Sequence, residues 1–414
     1  MSSTFFSEPL SSVLNIIATE RGWSDVKSDV ALRDYFARVG SGAAERDRTR
    51  SLPHSEIREL ASKGLGALRV PLDLGGNGWS VPDLLQFVYE LAVADANVAH
   101  ALRNHYLITE LLLTFPETGW RAERLQRVAK GAIIGEAHAE QDGARMGAIG
   151  TALRPFASGY RLDGKKFYST GSIFADSIWV SATDQDGRLR WVDLPTDRLG
   201  ISILDDWDGF GQRLTGSGTT LFDRVPVAPE DISPEDIVSG DRIPKQSVFA
   251  QLFMTTVVAG IVGRVASDAV ELLRHRKRSY RHAIANQPRE DPQLLEQIGY
   301  LSSYAFAAKA AVDAAAQPLA AVTDSFRATG DHHSAGEVAS LAAANAKLAV
   351  DEIALKAASL LFDVGGASAT SEKLGLDRHW RNIRTLSSHN PRVQKARGIG
   401  DHLVNKVNLP PFSF

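Results

Sequence analysis

The part of the sequence richest in side chains that could do chemistry lies at residues 378–395. It reads Arg-His-Trp-Arg-Asn-Ile-Arg-Thr-Leu-Ser-Ser-His-Asn-Pro-Arg-Val-Gln-Lys. Apolar residues recur among the charges at helical spacing from Trp380 to Leu386, which predicts a helix with one buried side. Pro391 disfavours helical backbone in the residue before it, so this helix should end near His389 and another begin at Pro391. A histidine at such a junction either faces a cleft or has a structural role, and the residues alone favour the structural role.

His100 and Asn104 form a second candidate pair, within a long helical pattern. Residues four apart lie on the same face of an α-helix, so the two side chains should point the same way. They could line a pocket or provide polar packing between helices, and the residues alone favour packing. No metal site is predicted, because nothing near the His332-His333 pair completes a ligand set and the chain has no cysteine.

The composition is that of an ordinary globular protein. Of the 414 residues, 44% are hydrophobic and 23% are charged, and the formal net charge is -3. No basic segment interleaves with aromatic residues, which argues against a nucleic-acid surface. The most apolar run, Phe253–Ala266, is too short to span a bilayer, and the first residues lack a signal-peptide pattern. We therefore expect a cytoplasmic protein that binds neither nucleic acid nor membrane.

The period of the apolar residues changes twice along the chain and predicts an α+β architecture. Residues 1–130 have helical spacing and should form an N-terminal helical domain. Residues 131–240 alternate and contain tight-turn pairs, which predicts an antiparallel β-barrel or sandwich. Residues 241–414 carry long Ala-rich amphipathic runs, which predict a C-terminal four-helix bundle.

Individual elements follow from the same patterns. The candidate helices are Leu10–Ala18, Val30–Val39, Ser55–Lys63, Asp83–Phe115, Val248–Tyr280, Pro292–Phe326, Ser334–Phe362 and Pro391–Val407. The candidate strands are Ala132–Ala137, Ala152–Phe156, Tyr160–Tyr168, Ser177–Ala182, Arg190–Leu194 and Thr219–Phe222. Ser80 should cap the helix that begins at Val81-Pro82-Asp83.

This order of elements, together with four sequence segments, resembles the acyl-CoA dehydrogenase family. Gly64–Gly78 resembles its G-L-x-x-x-x-V-P-x-x-x-G-G-x-G segment, and Gly164–Gly171 its flavin-contacting strand. Gly209–Thr219 resembles the segment that follows, and Arg381–Pro391 the final motif. The resemblance covers nearly the whole chain and implies the fold described above.

Three departures from the dehydrogenase pattern favour the flavin-dependent monooxygenase branch of that family. Asn390 occupies the position of the usual catalytic Glu, and an amide cannot serve as a base. The alternative base position, within Phe249–Val258, contains no Asp or Glu. Arg278–His282 replaces the Phe-Gly pair that often supports the adenosine of FAD. The resemblance therefore implies reduced FMN as the cofactor, with FAD disfavoured.

The resemblance also implies roles for individual residues. Ser169 should bind the flavin near N5, and His389 should face flavin C4a. His100 and Asn104 should line the substrate pocket, where Asn104 replaces a Tyr of the relatives. The remaining candidates for flavin contact, including the phosphate, are Trp207, Glu136, Arg384, Lys395 and Ser368.

The activity implied is that of a two-component monooxygenase that oxygenates a small organosulfur compound: a thiophene, sulfide, sulfone or sulfinate. Reduced FMN and O2 would form a C4a-hydroperoxide, and His389 would donate a hydrogen bond beside it. Ala259–Gly263 lies in a helix and is no dinucleotide fingerprint, so a separate NAD(P)H:flavin reductase should supply the flavin. The alternatives are an acyl-CoA dehydrogenase with FAD and an unrecognised base, or a flavin-free scaffold. The apolar tail Leu409–Phe414 and the family's packing suggest a homotetramer.

Overall fold

The computed structural model describes residues 22–141, 149–234, 243–329 and 333–409 of the chain. Within them the predicted order of helices, sheet and helices is confirmed. The candidate helix Leu10–Ala18 and residues 410–414 of the apolar tail lie outside the described residues.

The N-terminal part contains six described helices. They are α1 (Trp23–Val26), α2 (Val30–Thr49), α3 (His54–Ser62), α4 (Val81–Ala101), α5 (Arg103–Leu112) and α6 (Gly119–Ala129). The predicted cap of α4 is confirmed, because the Ser80 hydroxyl accepts a hydrogen bond from the Asp83 backbone N–H. Asp29 caps α2 in the same way, and its carboxylate accepts from two backbone N–H groups.

The single helix predicted over Asp83–Phe115 is interrupted twice. Asp95 leaves the helical conformation (φ -150°, ψ 111°), and its carboxylate accepts a hydrogen bond from the Asn97 backbone N–H. An Asp side chain that bonds nearby backbone competes with helical hydrogen bonding, which the apolar period does not reveal. A second break at Leu102 separates α4 from α5 and sets Arg103 at the first position of α5.

The middle part is one sheet whose outer edges curl between the helical parts. Its strands are β1 (Ile134–Ala137), β2 (Ala152–Phe156), β3 (Gly159–Lys166), β4 (Ser177–Thr183), β5 (Leu189–Pro195), β6 (Ile201–Ile203) and β7 (Thr220–Val227). The order is β1-β4-β2-β3-β7-β6, with β5 also paired to β4.

The sheet is mixed, where the sequence predicted antiparallel strands throughout. β1 and β2 both run parallel to β4, and the other pairings are antiparallel. Parallel neighbours need a long connection, and β2 and β3 supply one between β1 and β4. Strand β6 has only three residues, Ile-Ser-Ile, too few for their alternation to stand out, so the sequence did not predict it.

The C-terminal part is built on three long helices that pack against one another, followed by two shorter helices on α9. They are α7 (Ile243–His275), α8 (Pro292–Thr329), α9 (His333–Gly365), α10 (Asp377–Ser388) and α11 (Arg392–Asn405). The helix end predicted near His389 is confirmed. Pro391 stands just before α11, one position earlier than predicted, with φ -61°.

Helix α7 is the centre of the protein and belongs to a core shared by both helical parts. Phe249, Leu252, Phe253 and Val257 are buried together with Leu91 and other residues of α4. Ser247–His275 is long and apolar enough to cross a membrane, which the shorter run considered in the sequence did not suggest. The fold buries 89% of its most apolar window, as in the core helix of a soluble protein. The length of this helix is therefore weak evidence for a membrane span.

Candidate active site

The junction between α10 and α11 places His389 in a short chain of hydrogen bonds. Its Nδ1 lies 3.2 Å from Asn390 Oδ1, and Asn390 Nδ2 donates to Gln251 Oε1 over 2.7 Å. Because Asn390 uses its amide group toward Gln251, its carbonyl oxygen faces His389 and can only accept. The proton of a neutral His389 therefore sits on Nδ1, and Nε2 keeps a lone pair.

The environment of His389 favours that neutral form. The residue is exposed, yet enough protein surrounds it that desolvation is the main cause of a pKa lowered to about 4. The positive charges of Arg103, Lys347 and Lys395 lower the pKa further, and the Asn390 hydrogen bond opposes them. At neutral pH His389 is thus an uncharged acceptor at Nε2.

His100 reaches the same region from the end of α4. It is buried, and its Nδ1 lies 3.2 Å from Gln212 Oε1. Burial, Arg103 and His389 together lower the pKa of His100 to about 3. A charge on His389 would thus lower the pKa of His100, and the placement of both histidines in one cleft stays a prediction.

Gln212 organises the loop between β6 and β7 and was not among the predicted site residues. Its backbone N–H donates to Asn382 Oδ1 on α10 over 2.7 Å, and its carbonyl accepts from the Trp207 indole N–H over 2.9 Å. It holds a left-handed conformation, with φ 51°. Gln212 lies inside the Gly209–Thr219 segment, so the motif marked its loop without revealing its side-chain role.

The turn after β3 brings Ser169 to the joint between α4 and α5. The Thr170 carbonyl accepts a hydrogen bond from Asn104 Nδ2 over 3.0 Å. Gly171 has φ 80°, and a Cβ on it would overlap the Ala101 carbonyl oxygen. This close approach holds the turn against the helices. Asn104 therefore has a positioning contact, and its contact with substrate stays a prediction.

The hydroxyl of Ser169 lacks a hydrogen-bond partner among the described residues, as expected of a group that binds a ligand. Ser169 is 1% exposed, and its Oγ has no hydrogen-bond partner among the described residues. A buried hydroxyl without a partner is costly, and each such case in a native fold calls for an explanation. An acceptor on a bound flavin would satisfy Ser169, so the residues present fit the cofactor implied by the sequence.

The carboxylate of Glu136 acts electrostatically on Arg103. Glu136 lies on β1, and its backbone carbonyl accepts from the Ser172 hydroxyl over 3.1 Å. Burial lowers the pKa of Arg103, and the carboxylate of Glu136 opposes that shift. No sequence motif assigns a role to Arg103, so its link to the Ser169 turn through Asn104 emerges only from the structure.

Trp207 lies half-buried at the rim of this region. It meets Tyr168 edge to face, with ring centroids 6.1 Å apart. The Trp207 carbonyl accepts from Arg50, whose guanidinium also binds Asp205 through two bonds of 2.7 Å. These contacts hold the indole beside the Ser169 turn. Its packing against the flavin remains a prediction.

The residues predicted to bind the FMN phosphate lie in two separate places within one chain. Lys395 is buried beside the Lys347–Asp351 ion pair, and burial followed by Lys347 lowers its pKa to about 8. Arg384 is exposed on α10 and helps to lower the pKa of Asp351, which burial raises.

Ser368 lies elsewhere, beyond the far end of α9, in a surface pocket of about 830 Å³ with Arg276 and Tyr280. Lys347 and Gly365 are 18 residues apart on α9. A helix rises about 1.5 Å per residue, so about 27 Å separate the two groups. The structure does not bring Ser368 together with Arg384 and Lys395 in one protomer.

Other polar residues near the site have structural roles. His105 Nδ1 accepts from the Ile134 backbone N–H over 3.1 Å, so its Nε2 must donate to the Gly66 carbonyl over 2.8 Å. Burial lowers the pKa of His105 to about 4, which agrees with this neutral tautomer. Gln251 was not predicted either. The segment Phe249–Val258 contains no carboxylate, and no local pattern marks Gln251 as the partner of Asn390.

Comparison with known protein families assigns both helical parts. Residues 30–132 match the model described as acyl-CoA dehydrogenase, N-terminal domain, and residues 252–392 match acyl-CoA dehydrogenase, C-terminal domain. The second match includes His389 and Asn390, and the first includes His100 and Asn104.

Similar proteins cover nearly the whole chain. Dibenzothiophene monooxygenase of Mycolicibacterium goodii is 31% identical over 92% of this chain and 94% of its own. The probable FMNH2-dependent monooxygenase SfnC of Pseudomonas putida is 29% identical over 92% and 95%. The structure of TdsC from Paenibacillus sp. A11-2 with FMN and indole matches with a TM-score of 0.86 and 25% identity, over 94% and 100%.

Proposed function

The chain belongs to the acyl-CoA dehydrogenase family and is an FMN-dependent monooxygenase, and we propose that it is the oxygenase of a two-component system. Its substrates are organosulfur compounds, as the name of the dibenzothiophene relative indicates. A separate NAD(P)H:flavin reductase supplies reduced FMN. The finer proposal is that oxygen transfer proceeds through a C4a-hydroperoxyflavin.

The observation that carries this proposal is the chemistry around His389. Asn390 holds the position where a dehydrogenase keeps its base, and its amide is used by His389 and Gln251. In the described residues the charges that shift the pKa of His389 are all positive. A site of this kind cannot remove a proton by a carboxylate, but it can accept a hydrogen bond from a reactive oxygen species.

The hydrogen bonds change the role that the sequence suggested for His389. A neutral imidazole whose Nδ1–H faces Asn390 accepts at Nε2, so His389 holds a proton of the reacting oxygen group rather than donating one. Bound reduced FMN supplies the electrons and activates O2. His389 would return the proton once an oxygen atom has been transferred, and Asn390 with Gln251 would keep the ring in this tautomer.

The other site residues bind and orient. We propose that Ser169 bonds the flavin ring, that Trp207 packs beside it, and that His100 lines the substrate pocket. Lys395 and Arg384 are the candidates for the phosphate. Ser368 is too far along α9 to join them, so it can contact the same cofactor only from a second copy of the chain.

The acyl-CoA dehydrogenase alternative finds no support in the described residues. Gln251 lies in Phe249–Val258, the segment of the alternative base position, and its amide oxygen accepts a hydrogen bond from Asn390. Glu136 is the carboxylate that acts on Arg103, and it is not among the charged groups that shift the pKa of His389. Rapid flavin reduction by an acyl-CoA would contradict the monooxygenase proposal.

The function is tested with purified protein, chemically reduced FMN and 18O2. Dibenzothiophene, methyl phenyl sulfide and benzenesulfinate serve as substrates, and mass spectrometry of the products is the measurement. We expect one labelled oxygen atom per product molecule. Release of hydrogen peroxide with no labelled product from any sulfur compound would overturn the proposal. His389→Ala should lower product formation by about 100-fold or more, as loss of one preorganised group does.

A further inference from the structure

Arg103 is half-buried, and its ion pairing differs from that of the buried arginines of the described chain. Four arginines are buried, and each has a carboxylate ion-pair partner: Arg69, Arg121, Arg124 and Arg378. Arg103 takes part in none of the ion pairs formed by described residues. Partial burial of a guanidinium without a paired anion is costly, and the buried Nε of Arg103 in particular calls for an explanation.

The guanidinium of Arg103 is only partly used by the protein. Its Nη1 donates to the neighbouring Asn104 Oδ1 over 3.1 Å. Its Nε is buried and has no hydrogen-bond partner among the described residues. A guanidinium presents five N–H donors in a planar fork that suits anions with two oxygens. Most of that fork remains available for a ligand.

Arg103 is linked to the candidate active site through Asn104, which accepts from Arg103 and donates to the Thr170 carbonyl. Arg103 opens α5 one turn after His100, and Asn104 beside it holds the turn that carries Ser169. The charge of Arg103 acts on both His100 and His389. Glu136 is the counter-charge on β1, but it forms no ion pair with Arg103, so it balances the cation without occupying its donors.

We propose that Arg103 binds the anionic oxygens of the substrate and that the protein therefore prefers sulfinates to neutral sulfur compounds. This inference rests on the proposed function and narrows its substrate class. A sulfinate carries two equivalent oxygens for the guanidinium and a lone pair on sulfur for oxygenation.

The overall step balances without a further reactant. One oxygen atom of O2 forms a new S–O bond and converts R–SO2⁻ into R–SO3⁻. The O–O bond breaks, and the other atom leaves as water with the two hydrogens of reduced FMN. Sulfur and flavin each lose two electrons, and O2 gains four. The sulfinate substrate and the sulfonate product carry the same negative charge, which Arg103 binds in both. Arg103 therefore orients the sulfur and takes no part in proton transfer.

The test uses a matched pair of substrates. Benzenesulfinate and methyl phenyl sulfoxide differ by one anionic oxygen in place of a methyl group, and each takes up one oxygen atom. In Arg103→Gln the ratio of kcat/KM for sulfinate to that for sulfoxide should fall by about 10- to 100-fold, the value of a charge-assisted hydrogen bond. Arg103→Lys should recover part of the loss. Arg154→Gln, an exposed arginine of β2, is the control and should leave the ratio unchanged.

A second measurement needs no turnover. Benzenesulfonate cannot be oxygenated further, and calorimetry with FMN-loaded protein should show binding that weakens about 10-fold or more in Arg103→Gln. Glu136→Gln should tighten it, because the nearest negative charge is removed. Benzoate is the comparison anion, and tighter binding of benzoate than of benzenesulfonate would reject the sulfinate class.

The outcomes separate this inference from the proposed function. If the unchanged protein oxygenates methyl phenyl sulfoxide and Arg103→Gln leaves the ratio unaltered, the role of Arg103 is wrong while the oxygenase proposal stands. If no sulfur compound is oxygenated but benzenesulfonate binds through Arg103, the oxygenase proposal fails and the anion site stands. If the variant binds benzenesulfonate as tightly as the unchanged protein, the anion site is rejected.

Discussion

At the scale of single residues, the site depends on which atoms already have partners. Ser169 Oγ and Arg103 Nε have none among the described residues, whereas His389 Nδ1 and the Asn390 amide are engaged. Unsatisfied buried atoms point to ligand contacts, and satisfied ones define orientation and protonation. Two predictions follow from this distinction.

Asn390→Asp should raise the pKa of His389, because a carboxylate beside an imidazole favours its charged form, by about 1 to 3 units. A charged His389 cannot accept a proton at Nε2. The unchanged protein, with a pKa of about 4, should keep its oxygenation rate from pH 8 to pH 5.5. The variant should lose rate as the pH falls through the raised pKa.

Nitrogen NMR of labelled histidine and a pH–rate profile check this prediction together. His389→Ala assigns the NMR signal and sets the background rate. A raised pKa in Asn390→Asp with no loss of rate at pH 6 would show that the neutral ring is not required.

Ser169→Ala should affect the flavin-bound and flavin-free protein differently. In the flavin-free protein the hydroxyl has no partner, so its removal should leave the free energy of unfolding unchanged or slightly higher. FMN should bind several-fold more weakly, because a hydrogen bond worth about 1 kcal/mol is lost. Urea unfolding and flavin titration are the measurements.

Ser172→Ala is the matched control for that experiment. Its hydroxyl donates to the Glu136 carbonyl, so its loss should lower the free energy of unfolding by about 1 kcal/mol. Equal FMN affinity in Ser169→Ala and the unchanged protein would remove Ser169 from the flavin site.

At the scale of elements, the site depends on close approach between the sheet and the helices. The Ser169 turn is held by Asn104 on one side, and the loop after β6 is held by Asn382 through Gln212. Neither loop has a large core of its own, so these contacts decide where their side chains point.

Gly171→Ala tests the contact between the turn and α4. Its φ of 80° and the overlap of a new Cβ with the Ala101 carbonyl should together lower the free energy of unfolding by about 2 kcal/mol or more. FMN affinity should fall as the turn moves away. Gly187→Ala is the control, because Gly187 has φ 75° with no atom within 4 Å of a new Cβ.

Gly187→Ala measures the cost of backbone strain alone, about 1 kcal/mol, without any loss of the contact between the turn and α4. Thermal unfolding and flavin titration of both variants are the measurements. Equal effects of the two substitutions would mean that the turn does not need its close approach to α4.

At the scale of the whole molecule, the bundle presents apolar residues to solvent on several helices. Phe306 on α8 and Val404 on α11 are 77% and 78% exposed. Isolated exposed apolar residues are common, but together with the distance between Ser368 and Lys395 they favour assembly of several copies. We expect a homotetramer with a mass four times 44.8 kDa.

Light scattering at micromolar concentration checks the assembly. Val404→Asp should shift the protein to smaller species, and if Ser368 reaches FMN from a second copy, the same variant should bind FMN more weakly. Arg154→Asp, on the exposed face of β2, is the control and should keep the assembly. A monomeric unchanged protein would contradict this prediction.

Buried neutral histidines should make stability depend on pH. Burial lowers the pKa of His105 and His379 to about 4 and that of His100 to about 3, from an ordinary value near 6.5. The unfolded chain therefore binds more protons than the folded protein between pH 4 and 6.5. Stability should fall as the pH falls through this window, by about 1.4 kcal/mol per pH unit for each fully buried histidine.

Urea unfolding at pH 7.5 and 5.5 measures this effect. His105→Gln should reduce the dependence, because it removes one of the contributing groups, although it also lowers stability overall. The same free energy of unfolding at both pH values would mean that these histidines are charged in the folded protein.

Much of the architecture could be predicted from local sequence patterns. The period of apolar residues determines helix or strand within a few neighbours, and Ser80 and Pro391 mark helix boundaries because capping and φ restriction act locally. The motifs around Ser169 and His389 likewise predict that both residues belong to one site. The breaks at Asp95 and Leu102 were missed, because they depend on side-chain bonds and packing that the period does not record.

The chemistry of the site was decided by tertiary structure. Gln251 lies 139 positions before Asn390, and Gln212 lies 112 positions after His100, yet these pairs share hydrogen bonds. No local pattern encodes such a partner, because packing of α7 and the β6–β7 loop brings it into place. The tautomer of His389 and the available donors of Arg103 depend on those partners, so the sequence by itself could name the residues but not their protonation or their ligands.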